Sequence, residues 1–361
     1  MDEQSGPDLA WELIDRAEDL PHGEMQVQVA EEAVRVADAS RDEETMFAAR
    51  LCLVQAAAFG GAREQVLVAF SWCLARYREN RDDYDRFSYI LNWYFKYALH
   101  GIDEFPNVAT EQTEDLLEQM SQCYQESGYS TRPVHYLRFC LWRKAGFTNL
   151  ADLFEKWKNE PRDSMADCIA CEADEEIEYY ESIGEFEKAV DFAQPNLRGD
   201  RTCAEVPHRT FAYVLRPLSL LDRHDEADEC HETGYRMIRN NPSFLRQVAL
   251  HIVFLLHRGN RPKAVELFER HLRWALETRE IRSRHFFYSA ARRLMRELKT
   301  DSATRQMRLP NSFELFSKSS SYDLTQLTDW FDRQVETVGA QFNQRNGNDF
   351  YTSGLVDTLE Y

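Results

Sequence analysis

The sequence predicts an all-α chain built as a right-handed α-solenoid of antiparallel helical hairpins, and three observations carry that reading. An alanine recurs five residues after a turn residue at Ala151, Ala189, Ala227 and Ala264, in steps of 38, 38 and 37 residues. The turn residue is glycine at Gly146, Gly184 and Gly259, with Asp222 in the remaining copy. Only 14 glycines and 11 prolines punctuate 361 residues, and no long alternating apolar run bounded by turn signals occurs, which leaves helix as the dominant element. A period in this range marks stacked hairpins, each with an apolar face that it cannot bury alone.

Taken in order, residues 8 to about 130 read as antiparallel helices without a clean period. They run over 8–20, over 24–39 after the Pro21-His22-Gly23 turn, and over 42–59 before Gly60-Gly61. A helix over 63–77 puts Val66, Phe70, Cys73 and Leu74 on one stripe. Its Gly61, Val66, Phe70 order imitates the later repeats with valine in place of alanine. The next helix, 84–99, spaces Phe87, Ile90, Leu91, Tyr94, Phe95 and Ala98 for burial on one broad face, as a packed core or, alternatively, as the lining of a ligand pocket. The registered repeats occupy 131–299. The last zone, 300–361, reads as a loop over 301–321 and then a capping helix through Leu324, Leu327, Trp330, Phe331, Val335 and Val338, with Leu355 and Leu359 packing the tail.

Within each repeat, glycine at the turn supplies a positive φ, and alanine one turn into the second helix lets two backbones approach. Bulky residues follow three to four positions later, at Phe154, Phe192, His231 and Phe268. With Pro161 and Pro242 closing repeats, this set resembles the tetratricopeptide repeat, clearly over about 130 residues and loosely over about 250. The tail is similar to that of some bacterial repeat proteins, which adds nothing about activity. The resemblance implies a concave groove lined near Tyr136, Cys140, Asp174, Glu178, Ala212, Arg216, Ala249 and Val253. The Asn and Lys residues with which some members clamp a peptide carboxylate are missing at those positions, which argues against a chaperone-tail receptor. Peptide-sensing regulators of the same family carry an N-terminal DNA-binding domain, and the acidic first 60 residues make a poor one.

No apolar stretch approaches the roughly 20 residues that span a bilayer, and the first residues are acidic, so a cytoplasmic location with no membrane partner is expected. Eight cysteines are too sparse for a disulfide scaffold; Cys52, Cys73 and Cys140 read as buried thiols. A formal charge of −19 disfavours nucleic acid as a partner. The charge is segregated, with 14 Lys or Arg against six Asp or Glu between Arg258 and Arg308. Such segregation would also permit head-to-tail self-association, weakened by salt.

Phosphate-binding loops, His-Glu-x-x-His pairs and nucleophile elbows do not occur, so an enzyme is not expected. One cluster does stand out. Cys168 and Cys171 would lie near the start of a helix capped by Asp163 or Ser164, and Cys203 and His208 flank the equivalent point one repeat later, with Pro207 at the first helical position. First helices about 10 Å apart would let the four converge on one structural Cys₃His zinc. The competing reading is ordinary thiols and a capping histidine. His231 is an alternative fourth ligand whose place on a second helix suits the core, and a redox role lacks the strand-to-helix context it needs.

Two surfaces are candidates for a protein or peptide partner. On the 281–299 helix, Arg282, His285, Arg292, Arg293, Arg296 and Lys299 share one arc, suited to carboxylate or phosphate unless internal salt bridges consume it. In the groove, Asp174, Glu178 and Glu181 make an acidic end and Arg209, Arg216 and Arg246 a basic one. The expected function is a non-catalytic interaction scaffold or adaptor. The alternatives are a regulatory sensor of a short peptide or small ligand, and a zinc or redox protein centred on the Cys-x-x-Cys pair.

Overall fold

The computed structural model describes residues 6–354, and within them the chain is mostly helical. The expected packing of Leu355 and Leu359 lies outside the described residues. The contacts divide into two compact units, one of Met1–Leu141 with Ala151–Ala166 and the other of Trp142–Leu150 with Asp167–Tyr361.

In the first unit α1 (Gly6–Asp19), α2 (Glu24–Ser40), α3 (Glu43–Phe59), α4 (Arg63–Glu79), α5 (Ser88–Ile102) and α6 (Thr110–Glu126) each pack on the next in sequence. The starts and stops follow local chemistry. The Asp42 carboxylate accepts the Thr45 backbone N–H at 2.9 Å to begin α3, and Gly61, at φ 75°, makes the turn into α4. Val66 and Phe70 are both buried beyond that glycine, so valine holds the alanine position there. The aromatic helix packs as core: Phe95 meets Phe70 edge-on at 4.9 Å. Its first residues, Asp82–Phe87, form a separate 3-10 turn in which Tyr84 stacks on Phe47 at 4.3 Å. Next come α7 (Arg132–Lys144), which contributes residues to both units, and α8 (Ala151–Asn159), which buries Trp157.

The second unit contains α9 (Ile169–Ser182), α10 (Phe186–Leu197), α11 (His208–Tyr213), α12 (Leu215–Leu220), α13 (His224–Ile238), α14 (Leu245–His257), α15 (Arg261–Glu277) and α16 (Ile281–Lys299). It ends with α17 (Leu324–Asn346), capped by Asp323, which accepts from Thr325 and Gln326. The expected loop over 301–321 needs correcting. Thr304–Gln306, β1, pairs antiparallel with Ser321–Asp323, β2, with Arg305 opposite Tyr322. Three-residue strands are too short to show alternation, and the pairing is made across an intervening loop.

The repeat signature has a backbone cause. Gly146, Gly184, Asp222 and Gly259 all take positive φ, at 85°, 78°, 57° and 72°. Ala189, Ala227 and Ala264 lie three residues inside their helices and are fully buried. Ala151 departs from them: α8 begins on it, so it is exposed and brings no backbones together. Between α11 and α13 a further close approach is made by Gly234, where an added Cβ would lie 2.4 Å from the Phe211 Cβ.

Buried imidazoles fill part of this unit. His231 Nδ1 lies 2.9 Å from His251 Nδ1, and Tyr235 Oη 3.1 Å from His271 Nε2, which places His231 in the core as expected. Burial pulls His231, His271 and His285 down to about 4 and His251 further.

Gly234→Ala is expected to destabilise the protein by about 1 to 3 kcal/mol through overpacking against Phe211, read as a lower urea midpoint at unchanged slope. A second expectation concerns acid. Between pH 6.5 and about 4 the unfolded chain binds protons that these buried imidazoles refuse, so stability is full above pH 6.5 and falls as pH drops through that window. The slope is about 1.4 kcal/mol per pH unit for each such histidine. Asp174, whose carboxyl burial raises, opposes part of it. Urea titrations at stepped pH check both the sign and the window.

Candidate functional site

The site is organised by α9, whose sequence buries five carboxylates in seven residues: Glu172, Asp174, Glu175, Glu176 and Glu178. Buried carboxylates require charge partners and donors. Arg143 donates to both Glu175 and Glu178, and Arg246 Nη1 forms an ion pair with Glu178 at 2.7 Å. Asp174 receives Arg209 Nε at 3.3 Å, Asn196 Nδ2 at 3.1 Å and the Thr210 hydroxyl. Arg216 Nη1 donates to Glu181 at 2.7 Å. Burial alone would raise these acids. At Glu175 the field of Arg143 outweighs it and holds the carboxyl near 2, and Arg246 and Arg143 hold Glu178 well below the usual range. At Asp174 burial wins over Arg209 and lifts the carboxyl to about 6.

Beside this network lies a cavity of about 370 Å³, within the range of small-ligand sites. Glu178, Ala212, Arg216 and Val253, four of the expected groove positions, line it together with Arg246 and Arg282. Asp174 and Arg209 do not line it and are paired with each other. Glu181, expected at the acidic end, lines it too, whereas sequence reasoning did not bring Arg143, Lys144, Phe147, Tyr213 or Phe350 to this wall. A signal for Arg143 existed. Its partner Glu178 is 35 residues away, the same offset as Asp174 to Arg209 and Glu181 to Arg216, so opposite charges recur at one fixed spacing, slightly shorter than the alanine step.

Aromatic faces order the cations. The Arg246 guanidinium sits 5.0 Å from the Phe286 ring centroid and 5.2 Å from that of Tyr213, and Arg282 lies 5.1 Å from Phe286. Arg282 Nε also donates to the Tyr351 hydroxyl at 2.9 Å, which donates to the Lys144 carbonyl at 2.8 Å. Asn346 Nδ2 donates to the Ala145 carbonyl at 2.9 Å. These bonds bring the chain after α17 against residues 144–145, and Phe350 closes over Gly146, where an added Cβ would meet its ring carbon at 2.3 Å. Phe350 thereby closes the cavity on the side of Gly146.

The basic arc on α16 is divided between the interior and the surface. Arg282, His285 and Arg292 are buried where α16 packs against α14, α15 and α17, whereas Arg293 is half-buried and Arg296 and Lys299 stay exposed. Arg296 pairs with Asp332 of α17 at 2.6 Å, Arg292 lies 3.9 Å from the same carboxylate, and Arg293 pairs with Glu297 at 3.3 Å.

The thiol cluster forms in part. Cys168, Cys171 and Cys203 place their sulfurs within 4.8 Å of one another, whereas His208 stays outside the group, its ring stacked on Phe244 at 5.4 Å. Cys168 is itself the N-cap of α9, which starts five residues later than an Asp163 cap would allow; Asp163 instead accepts the backbone N–H groups of Ser130 and Met165. Pro207 is the N-cap of α11 rather than its first residue. The Cys168 thiol is lowered to about 6, first by its hydrogen bond with Cys171. Cys52, Cys73 and Cys140 are buried, as expected.

Among the described residues no helix is long and apolar enough to cross a membrane. Compared with known proteins, the chain matches no family model and no curated sequence.

Glu178→Ala is expected to cost about 3 to 5 kcal/mol in chemical denaturation, since it strips a buried carboxylate from Arg246. Glu178→Leu combined with Arg246→Met should recover most of that loss. Equal destabilisation by the single and double variants would show that shape, not charge, holds this point.

Proposed function

We propose that the protein is a non-catalytic binding scaffold of the cytoplasm, whose second unit takes the acidic end of a peptide or protein partner into the cavity beside α9. Its hairpins would stack in the right-handed manner of tetratricopeptide repeats. The observation that supports the binding reading most is the charge of the cavity wall. Arg143, Lys144, Arg216, Arg246 and Arg282 face it, against the carboxylates Glu178 and Glu181 and their neighbour Glu175. A surplus of guanidinium groups, held by aromatic rings in a concave site, favours a carboxylate or phosphate carried on an apolar body. The rings of Phe147, Phe286 and Phe350 would receive that body.

The volume favours a chain end or a small anion over a long extended segment, which keeps the sensor reading as second choice. In both readings the ligand is bound and left chemically unchanged.

The experiment is calorimetry of the full chain against short peptides ending in an apolar residue, each with a free and an amidated C-terminus. Free carboxylates should bind about tenfold or more tightly, the worth of a charge-assisted hydrogen bond, and added salt should weaken them. Arg216→Gln should lower affinity while the melting temperature moves little. Indifference of binding to amidation and to salt would sink the proposal.

A further inference from the structure

We propose that Cys168, Cys171 and Cys203 bind one zinc ion that ties the first turn of α9 to the segment 199–207. The three sulfurs converge from two stretches of chain about 32 residues apart, with Cys171 Sγ 3.5 Å from Cys203 Sγ. Thiolates at about 2.3 Å from a tetrahedral zinc stand about 3.8 Å from each other, close to the 3.5 Å of the Cys171–Cys203 pair and inside the 4.8 Å that bounds the cluster. All three cysteines are free thiols.

The backbone prepares two of the sulfurs for negative charge. The Cys171 N–H donates to Cys168 Sγ at 3.2 Å, and the Glu205 N–H donates to Cys203 Sγ at 3.4 Å. Each loop thereby turns its sulfur toward the shared point and stabilises the deprotonated form that a metal requires. Cys168 also occupies the N-terminus of a fourteen-residue helix, whose dipole favours an anion. These features distinguish the cluster from the buried thiols Cys52, Cys73, Cys123 and Cys140.

Cys168 is exposed, so the fourth coordination position faces solvent and water fills it. The zinc holds the end of α9, and α9 carries the buried carboxylates to which Arg143, Arg209 and Arg246 are paired. Metal binding therefore stabilises the folded second unit, and chelation should lower its melting temperature.

The test uses the full chain, purified under reducing conditions without chelator. Elemental analysis should find about one zinc per chain. Cobalt(II) added to the reduced, zinc-free protein should give thiolate charge-transfer bands and the strong visible bands of a tetrahedral site. Cys168→Ser and Cys203→Ser should each lose the bound zinc and the charge-transfer bands, whereas Cys230→Ser should keep both. The wild-type zinc content and cobalt spectrum stand independently of whether any variant folds. Absence of zinc together with absence of cobalt bands in the wild type would overturn the proposal, as would bands that survive in both Cys168→Ser and Cys203→Ser with native circular dichroism.

Discussion

A helix that buries five carboxylates can exist only where cations are brought to it, and α9 sets that condition for the second unit. Water would otherwise solvate Asp174, Glu175 and Glu178 far better than protein does. The cations arrive from separate elements: Arg143 from the end of α7, Arg209 from α11 and Arg246 from α14. Arg209 and Arg246 each fix the position of their own helix relative to α9, so the network locates several elements of the second unit at once. It also locates the cavity, because two of these guanidinium groups, Arg143 and Arg246, form part of the cavity wall.

The second constraint is closure after α17. Tyr351 and Asn346 donate to the backbone carbonyls of Lys144 and Ala145, bonds that span 207 and 201 residues. Closing so long a loop costs chain entropy, which the burial of Tyr351, Phe342 and the α16 face of α17 offsets. The consequence for binding is specific. Phe350 becomes a wall of the cavity, and Arg282, held by the Tyr351 hydroxyl, is oriented toward the same space.

The fold was largely legible because its signals are local. A glycine at positive φ and a buried alanine a fixed distance later leave a mark that sequence can carry, and Gly184 with Ala189 and Gly259 with Ala264 behave as that mark implies. The copy at Ala151 shows its limit, since a delayed helix start left the same spacing with none of the packing. The site was legible in part for a related reason. Glu178, Arg216, Arg246 and the three cysteines were found because each sits at a repeat-related position or in a short motif. Phe350 and Lys144 were not, because what brings them to the cavity is a contact made far along the chain.

The sequence by itself determined the helical class, the turns and the charge inventory, for these depend on periodicity, on backbone freedom and on composition. Tertiary structure alone decided how the charges are spent. The arginines of α16 looked like one docking face by helical spacing, but burial took Arg282 and Arg292 out of it and left Arg296, paired with Asp332, at the surface. Helical spacing records which side chains share a face, and only packing says whether that face meets solvent or another helix.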